Sequence, residues 1–359
     1  MEFVFSLLAF LVVLTPVVFF HELGHFWAAR RSGVKVEVFS VGFGRELFGY
    51  TDREGTRWRF SLLPLGGYVK MAGDGDPAST PSADAATIEG SFHAASLKAK
   101  AFIVAMGPIA NFILGIAIIA VVYIGVGKAI IPNQVGEVIE GGAAEEAGII
   151  SGDKIISING YNINEFADLR GIIFENPGRT LPITVDRDGD LLDLSVTPLV
   201  VDDQCLGTTY GQIGVRSAGG ELKRYGPVEA VMSASVDSFR MAIAMLRGLG
   251  RLASGNANKG EIGGPVKIAE MSGRVASQGL LSLAMFVAII SINLGLVNLL
   301  PVPALDGGHL MFFGLEGIMG RPLNARVQEQ IMRGGIALLL SLIVVLTFFD
   351  ILGNVTKQC

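Results

Sequence analysis

Residues 20–26 read Phe-His-Glu-Leu-Gly-His-Phe, and the residues before them, Met1 to Phe20, carry a single charge, Glu2, in an otherwise almost wholly apolar run. Spaced four apart, His21 and His25 share one face of a helix and can present both imidazoles to one metal ion, with Glu22 beside them. Two histidines and an adjacent carboxylate are the parts from which a zinc hydrolase site is built. The bland reading is two histidines packed at a helix end. Only four histidines occur in 359 residues, however, so chance does not readily place two of them around a glutamate at this spacing. The apolar run is long enough to cross a bilayer, so the motif closes a membrane-spanning helix and does not sit on a soluble domain.

Composition supports that setting. Half of the residues are hydrophobic, 17% are charged and the mean hydropathy is +0.52, which indicates an integral membrane protein with some soluble mass. A net charge of −5 gives no reason to expect nucleic acid as a partner. The first segment lacks the basic start and small-residue cleavage site of a secretory signal, so it is read as retained. Cys205 and Cys359 are too few for a disulfide framework and lack metal-ligand spacing, which leaves free thiols as the default.

Hydropathy places four spans, at about Phe3 to Ala29, Ala99 to Val126, Leu280 to Leu300 and Gly335 to Leu352. Arg and Lys are frequent between Arg30 and Lys100, and Arg321, Arg326 and Arg333 lie between the last two spans. The positive-inside rule then puts both short basic loops in the cytoplasm, and both termini and the long segment between spans two and three outside, in the periplasm of a Gram-negative bacterium. The metal motif would face the cytoplasmic side of the inner membrane.

Between the first two spans, Val34 to Val69 alternates as strand, punctuated by glycines at 42, 44, 49, 55, 66 and 67. This predicts a small antiparallel sheet or hairpin on the cytoplasmic side, dipping into the bilayer where protein shields its backbone. Its edge is either purely structural or a place for an extended substrate to pair. Gly73 to Gly90 reads as a flexible polar loop. In the second span, Gly-Pro-Ile-Ala-Asn at 107–111 predicts a proline break, and Asn111 is costly in hydrocarbon unless it lines a wet cavity or bonds a neighbouring helix. Pro16 predicts a kink in the first span.

From Gln134 to Pro198 the pattern is that of a soluble α/β module: a short helix ending at Gly148, a strand from Lys154 to Ile158, a turn at Asn159-Gly160, a helix near Glu165 to Glu175, and two strands joined around Asp188-Gly189. The run from Ala147 to Gly160 resembles a PDZ domain, a fold that implies contact with a peptide or with substrate, or a steric gate. The stretch Gly226 to Gly255 is amphipathic but too charged to span, and suits a helix at the outer membrane surface or against the module.

Two histidines require a third protein ligand. Asp306, in Leu-Asp-Gly-Gly-His at 305–309, is a strong candidate because a carboxylate at membrane depth must be paired or metal-bound, and His309 competes with it until the resemblance given below adds its weight to Asp306. Ligands at the inner ends of spans one and three meet only if those spans run the same way. Span two supplies the single crossing this needs.

Taken together, His-Glu-Leu-Gly-His at 21–25, Gly-Gly-Tyr-Val-Lys at 66–70, Gly-Pro-Ile-Ala-Asn at 107–111, the PDZ-like insert and the stretch from Asn298 through Pro301, Pro303 and Asp306 to His309 resemble the site-2 protease family of intramembrane zinc metalloproteases, of the bacterial RseP type. One PDZ-like module stands where some members have two. The resemblance implies Zn2+ on His21, His25 and Asp306, Glu22 as the base, and substrate contact at Asn111, Asn298, Pro301, Pro303, Gly66, Gly67 and Tyr68. It also implies single-pass membrane proteins as substrates, such as an anti-sigma factor already shortened by another protease, or remnant signal peptides, cut in an envelope stress response. Other readings are a membrane-anchored zinc protease acting on soluble loops and a non-catalytic PDZ scaffold.

The expected architecture is thus an α-helical membrane protein of four transmembrane helices, with a cytoplasmic-side β-hairpin or sheet and an inserted α/β PDZ domain. Its segments are 1–31 (first span and metal motif), 32–96 (β region and loop), 97–127 (second span), 128–200 (PDZ domain), 201–279 (linker and amphipathic helix), 280–334 (third span, Leu-Asp-Gly and loop) and 335–359 (fourth span and tail).

Overall fold

The computed structural model describes residues 2–75, 87–203, 208–254 and 264–356. Cys205, Cys359 and the centre of the Gly73 to Gly90 loop lie outside them. In chain order the elements are α1 (Glu2–Arg31), β1 (Val36–Thr51), β2 (Arg57–Met71), α2 (Leu97–Gly125), β3 (Lys128–Ile130), β4 (Val135–Val138), α3 (Ala143–Glu146), β5 (Lys154–Ile158), β6 (Tyr161–Asn162), α4 (Phe166–Phe174), β7 (Leu181–Arg187), β8 (Asp190–Val196), β9 (Leu199–Asp203), β10 (Thr208–Gln212), β11 (Val215–Ser217), β12 (Glu221–Lys223), α5 (Pro227–Ala253), α6 (Pro265–Ser277), α7 (Leu280–Leu299), α8 (Asp306–Met319) and α9 (Ala325–Thr356). They form two compact units. One holds α1, β1, β2, α2, most of α5 and α6 to α9; the other holds β3 to β12 with α3 and α4.

In the first unit, α1, α2, α7 and α9 are long and apolar enough to cross a membrane, at Phe3–Arg31, Leu97–Gly125, Leu280–Leu299 and Arg326–Leu352. At 1.5 Å per residue, α1 is about 45 Å long, more than a hydrocarbon core of about 30 Å. Its last turn therefore carries Arg30 and Arg31 beyond the apolar layer, where they also complement the helix dipole. Gly33, at φ 75°, ends it by letting the Val34 N–H return to the Ala29 carbonyl at 2.9 Å. Pro16 and Pro108 both lie inside continuous helices. The break predicted in the second span is absent, because neighbouring helices can support a proline at membrane depth.

The strands β1 and β2 form an irregular antiparallel pair. Val38, Phe39, Ser40 and Val41 have partners on both sides: Lys70, Val69, Tyr68 and Gly67 on one, Arg57, Trp58, Arg59 and Phe60 on the other. The segment 67–71 is consequently an edge. Phe39 stacks on Trp58 at 4.3 Å, and Phe26 of α1 meets Trp58 edge-on at 4.9 Å, which fastens the sheet to α1. Phe43, Leu47, Phe48, Leu62 and Leu63 are exposed at its far end.

The chain after α7 departs from expectation. A loop is predicted there, yet after a tight turn, in which Ala304 has φ 75°, α8 begins at Asp306 itself. Gly307 and Gly308 disfavour a helix by propensity but are required by space: a Cβ would stand 2.1 Å from the Leu300 carbonyl oxygen at Gly307 and 2.5 Å from that of Val302 at Gly308. The helix α5 also differs from a core helix, burying Ala234, Ser238 and Ala242 while Val231, Met232, Val236 and Phe239 stay exposed.

The second unit is an α/β module with a four-stranded antiparallel sheet in the order β6-β5-β7-β8 and three two-stranded ribbons, β4 with β11, β9 with β10 and β3 with β12. Its core gathers Val135, Ala144, Ile149, Ile155, Ile158, Leu169, Ile183, Val185, Val196 and Ile213. The predicted turn is present: Asn159 and Gly160 both have positive φ, 48° and 79°, as a tight two-residue hairpin requires. Buried Asp153 is held by Arg187 through Nε at 2.8 Å and Nη2 at 2.9 Å. The core runs past Pro198, since Ile213 belongs to it.

Candidate active site

The site is assembled in the first unit by α1, α2, β2 and α8. His21 and His25 are both buried, at 8% and 9% exposure, in an apolar helix. Their Nε2 atoms lie 3.2 Å apart. Asp306, the first residue of α8, completes the group, with Oδ2 3.2 Å from His21 Nε2 and Oδ1 3.6 Å from His25 Nε2. Among the described residues this is the one set of three or more such side chains whose donor atoms lie close enough to share an ion, and His309 is not part of it.

The geometry fits zinc. Bonds of about 2.0–2.1 Å in a tetrahedron set ligand atoms about 3.3 Å apart, close to the 3.2 Å between the two Nε2 atoms and the 3.2 Å from His21 Nε2 to Asp306 Oδ2, with the other carboxylate oxygen turned toward His25. Asp306 Oδ2 is buried without a hydrogen-bond partner, as an atom awaiting a cation would be. His25 Nδ1–H donates to the Ile103 carbonyl at 2.9 Å, which leaves Nε2 free to coordinate. A Cβ on Gly107 would stand 2.3 Å from His25 Nε2, so this glycine is what lets α2 back onto the rings. Gly24 does the same for the backbones: a Cβ there would stand 2.2 Å from the Met106 carbonyl oxygen.

Glu22 points toward the sheet edge. Its carboxylate accepts the Val69 N–H, and a Cβ on Gly67 would come within 3.2 Å of Glu22 Cγ. Of the predicted substrate-contact residues, Gly67 thus lies beside the proposed base. Tyr68 is buried, stacked at 6.0 Å on Phe43 and facing the Arg59 guanidinium at 5.0 Å. Gly66 also lies against Phe43. Asn111 is fully buried with its amide 3.2 Å from His21 Nδ1. Asn298 is half-buried in the last turn of α7, Pro301 is exposed, and Pro303 packs against Gly335 of α9. Sequence reasoning missed the Ile103 carbonyl, which has no side-chain signature, and Ser291, whose hydroxyl donates to the Asn111 carbonyl at 2.8 Å and was visible only as a polar residue in an apolar run.

Apolar helices carrying a buried pair of histidines and a carboxylate, with a further glutamate alongside, define a membrane-embedded metalloenzyme. The family model described as Peptidase family M50 matches residues 9–342. Among similar proteins, a candidate zinc metalloprotease of Rhizobium meliloti (strain 1021) is 41% identical over 362 residues, covering 97% of this chain and 96% of the relative. Another, from Agrobacterium fabrum, is 39% identical over 359 residues, covering 95% and 94%. Metalloprotease MmpA of Caulobacter vibrioides is 35% identical over 381 residues, covering 97% and 96%. The chain belongs to peptidase family M50, the zinc-dependent site-2 proteases.

Proposed function

We propose that this zinc metalloprotease hydrolyses peptide bonds within the transmembrane segments of single-pass membrane proteins. The observation that carries the reading is the position of His21, Glu22 and His25 inside an apolar span, with Asp306 brought to the same depth. His21, His25 and Asp306 would hold the ion, which when bound polarises the scissile carbonyl and acidifies the attacking water. Glu22 takes a proton from that water as its oxygen bonds the carbonyl carbon, then delivers it to the leaving nitrogen as the C–N bond breaks. The substrate must be extended, because a helical peptide bond is shielded; the edge at residues 67–71 offers a strand to pair with, and Gly67 lets that strand lie close against Glu22. Asn298, Pro301 and Pro303 would line the substrate path.

Substrates of the anti-sigma factor type, trimmed beforehand by another protease, and remnant signal peptides both suit such a site. The chain would sit in the bacterial inner membrane with the metal toward the cytoplasm, and the second unit, a PDZ-like module in the periplasm, would exclude untrimmed substrates or touch their ends.

A tagged single-span substrate incubated with purified protein in detergent tests this, with the cut located by mass spectrometry. Glu22→Gln should keep zinc and fold yet lose turnover by at least about 100-fold, and a zinc chelator should abolish cleavage. A cut outside the apolar segment, or near-normal activity of Glu22→Gln, would overturn the proposal.

A further inference from the structure

One stripe of α2 faces the metal ligands, and its three residues are spaced one turn apart: Ile103, Gly107 and Asn111. Ile103 meets His25 through its carbonyl, Gly107 gives both rings room, and Asn111 meets His21. A carbonyl can only accept, so His25 carries its proton on Nδ1 and keeps the Nε2 lone pair. The same demand falls on His21. Its Nε2 is the atom that faces His25 and Asp306, so its Nδ1 must carry the proton and needs an acceptor.

The group at that position is the Asn111 amide. As placed, its Nδ2 stands 3.2 Å from His21 Nδ1, while its Oδ1 is buried with no hydrogen-bond partner. Two donors face each other and an acceptor is stranded. The two ends of an amide have the same shape, and exchanging them repairs the mismatch at His21. Oδ1 then accepts the His21 Nδ1–H, and the amide NH2 is left to a water or a peptide carbonyl.

We infer that Asn111 is a positioning residue for the metal centre: its Oδ1 accepts the His21 Nδ1–H, fixing the tautomer and the ring plane so that Nε2 is presented to zinc. This rests on the reading of His21, His25 and Asp306 as the zinc ligands. Ser291 steadies the arrangement from α7 by donating to the Asn111 carbonyl. Asn111 therefore acts on the substrate only through the ligand it holds.

Zinc affinity of the full chain in detergent, measured by competition with a chelator, tests the inference without relying on activity. Asn111→Leu should bind zinc about 10–100-fold more weakly. Asn111→Asp, which restores an acceptor, should bind at least as tightly as the natural protein. Near-natural affinity in Asn111→Leu, or Asn111→Asp as weak as Asn111→Leu, would overturn the assignment of Asn111 alone. Failure of the unaltered chain to bind one zinc would instead overturn the metal reading. Nitrogen NMR of 15N-histidine-labelled natural protein needs no variant to fold: His21 should be metal-bound at Nε2 and protonated at Nδ1. A ring unprotonated or metal-bound at Nδ1 would sink the proposal.

Discussion

A methyl group on Gly107 would stand 2.3 Å from His25 Nε2 and 2.9 Å from His21 Cε1, closer than any real contact allows. Gly107→Ala should therefore push both imidazoles aside and lower zinc affinity at least about 10-fold, while α2 itself forms more readily, since alanine is the better helix former. Equilibrium zinc binding alongside circular dichroism separates the two effects; unchanged affinity would mean the helices simply part. At this scale the cluster that could hold an ion was legible. His21, Glu22 and His25 carry their chemistry in their spacing, and Asp306 in the cost of a carboxylate at membrane depth. What could not be read is what surrounds them. The Ile103 carbonyl is a backbone atom, and Gly107 stood only as the residue before a predicted proline break, with nothing to show the rings against it.

Among the elements, the link between the sheet and α1 depends on Asp52. Burial raises its pKa, but hydrogen bonds from Trp58 Nε1, the Thr56 N–H, Arg30 and the Glu54 N–H outweigh burial and hold it at about 2. A depressed carboxyl stabilises the fold fully above its unfolded value of about 3.9, and loses that contribution as the pH falls through about 2. The protection factor of the Thr56 amide, buried and bonded to Asp52, should be high at pH 6 and fall as the pH approaches 2, once the slower intrinsic exchange in acid is divided out. Constant protection across that range would show that the turn does not depend on the charge. Alternation between Val34 and Val69 made this sheet legible, whereas the double pairing of Val38 to Val41 was not, because bulges shift register without marking it in the residues. The helix α8 was hidden by Gly307 and Gly308, which weaken every helix propensity yet are what the turn before them can accommodate.

On the scale of the whole molecule, the second unit leaves and rejoins the chain through one ribbon, with Ile130 opposite Glu221. Replacing residues 131–220 by a short linker should remove the module cleanly, whereas excising only 134–198 would leave behind Ile213, a part of its core. If the module excludes bulky substrates, the shortened protein should retain its metal and cleave an untrimmed single-span protein that the full chain spares. Unchanged selectivity would leave the module without a gating role. Four spans, an inserted α/β unit and their order were all legible, because hydropathy and turn residues act locally.

The metal cluster draws on positions 21, 25 and 306 of a chain of 359 residues. During synthesis the two histidines and Glu22 enter the membrane first, but they have no partner carboxylate until most of the protein has been made. On the proposed ligand set a truncated or half-inserted chain would be no protease, and a hydrolase embedded among other membrane proteins would become dangerous to them only once its own assembly is nearly complete.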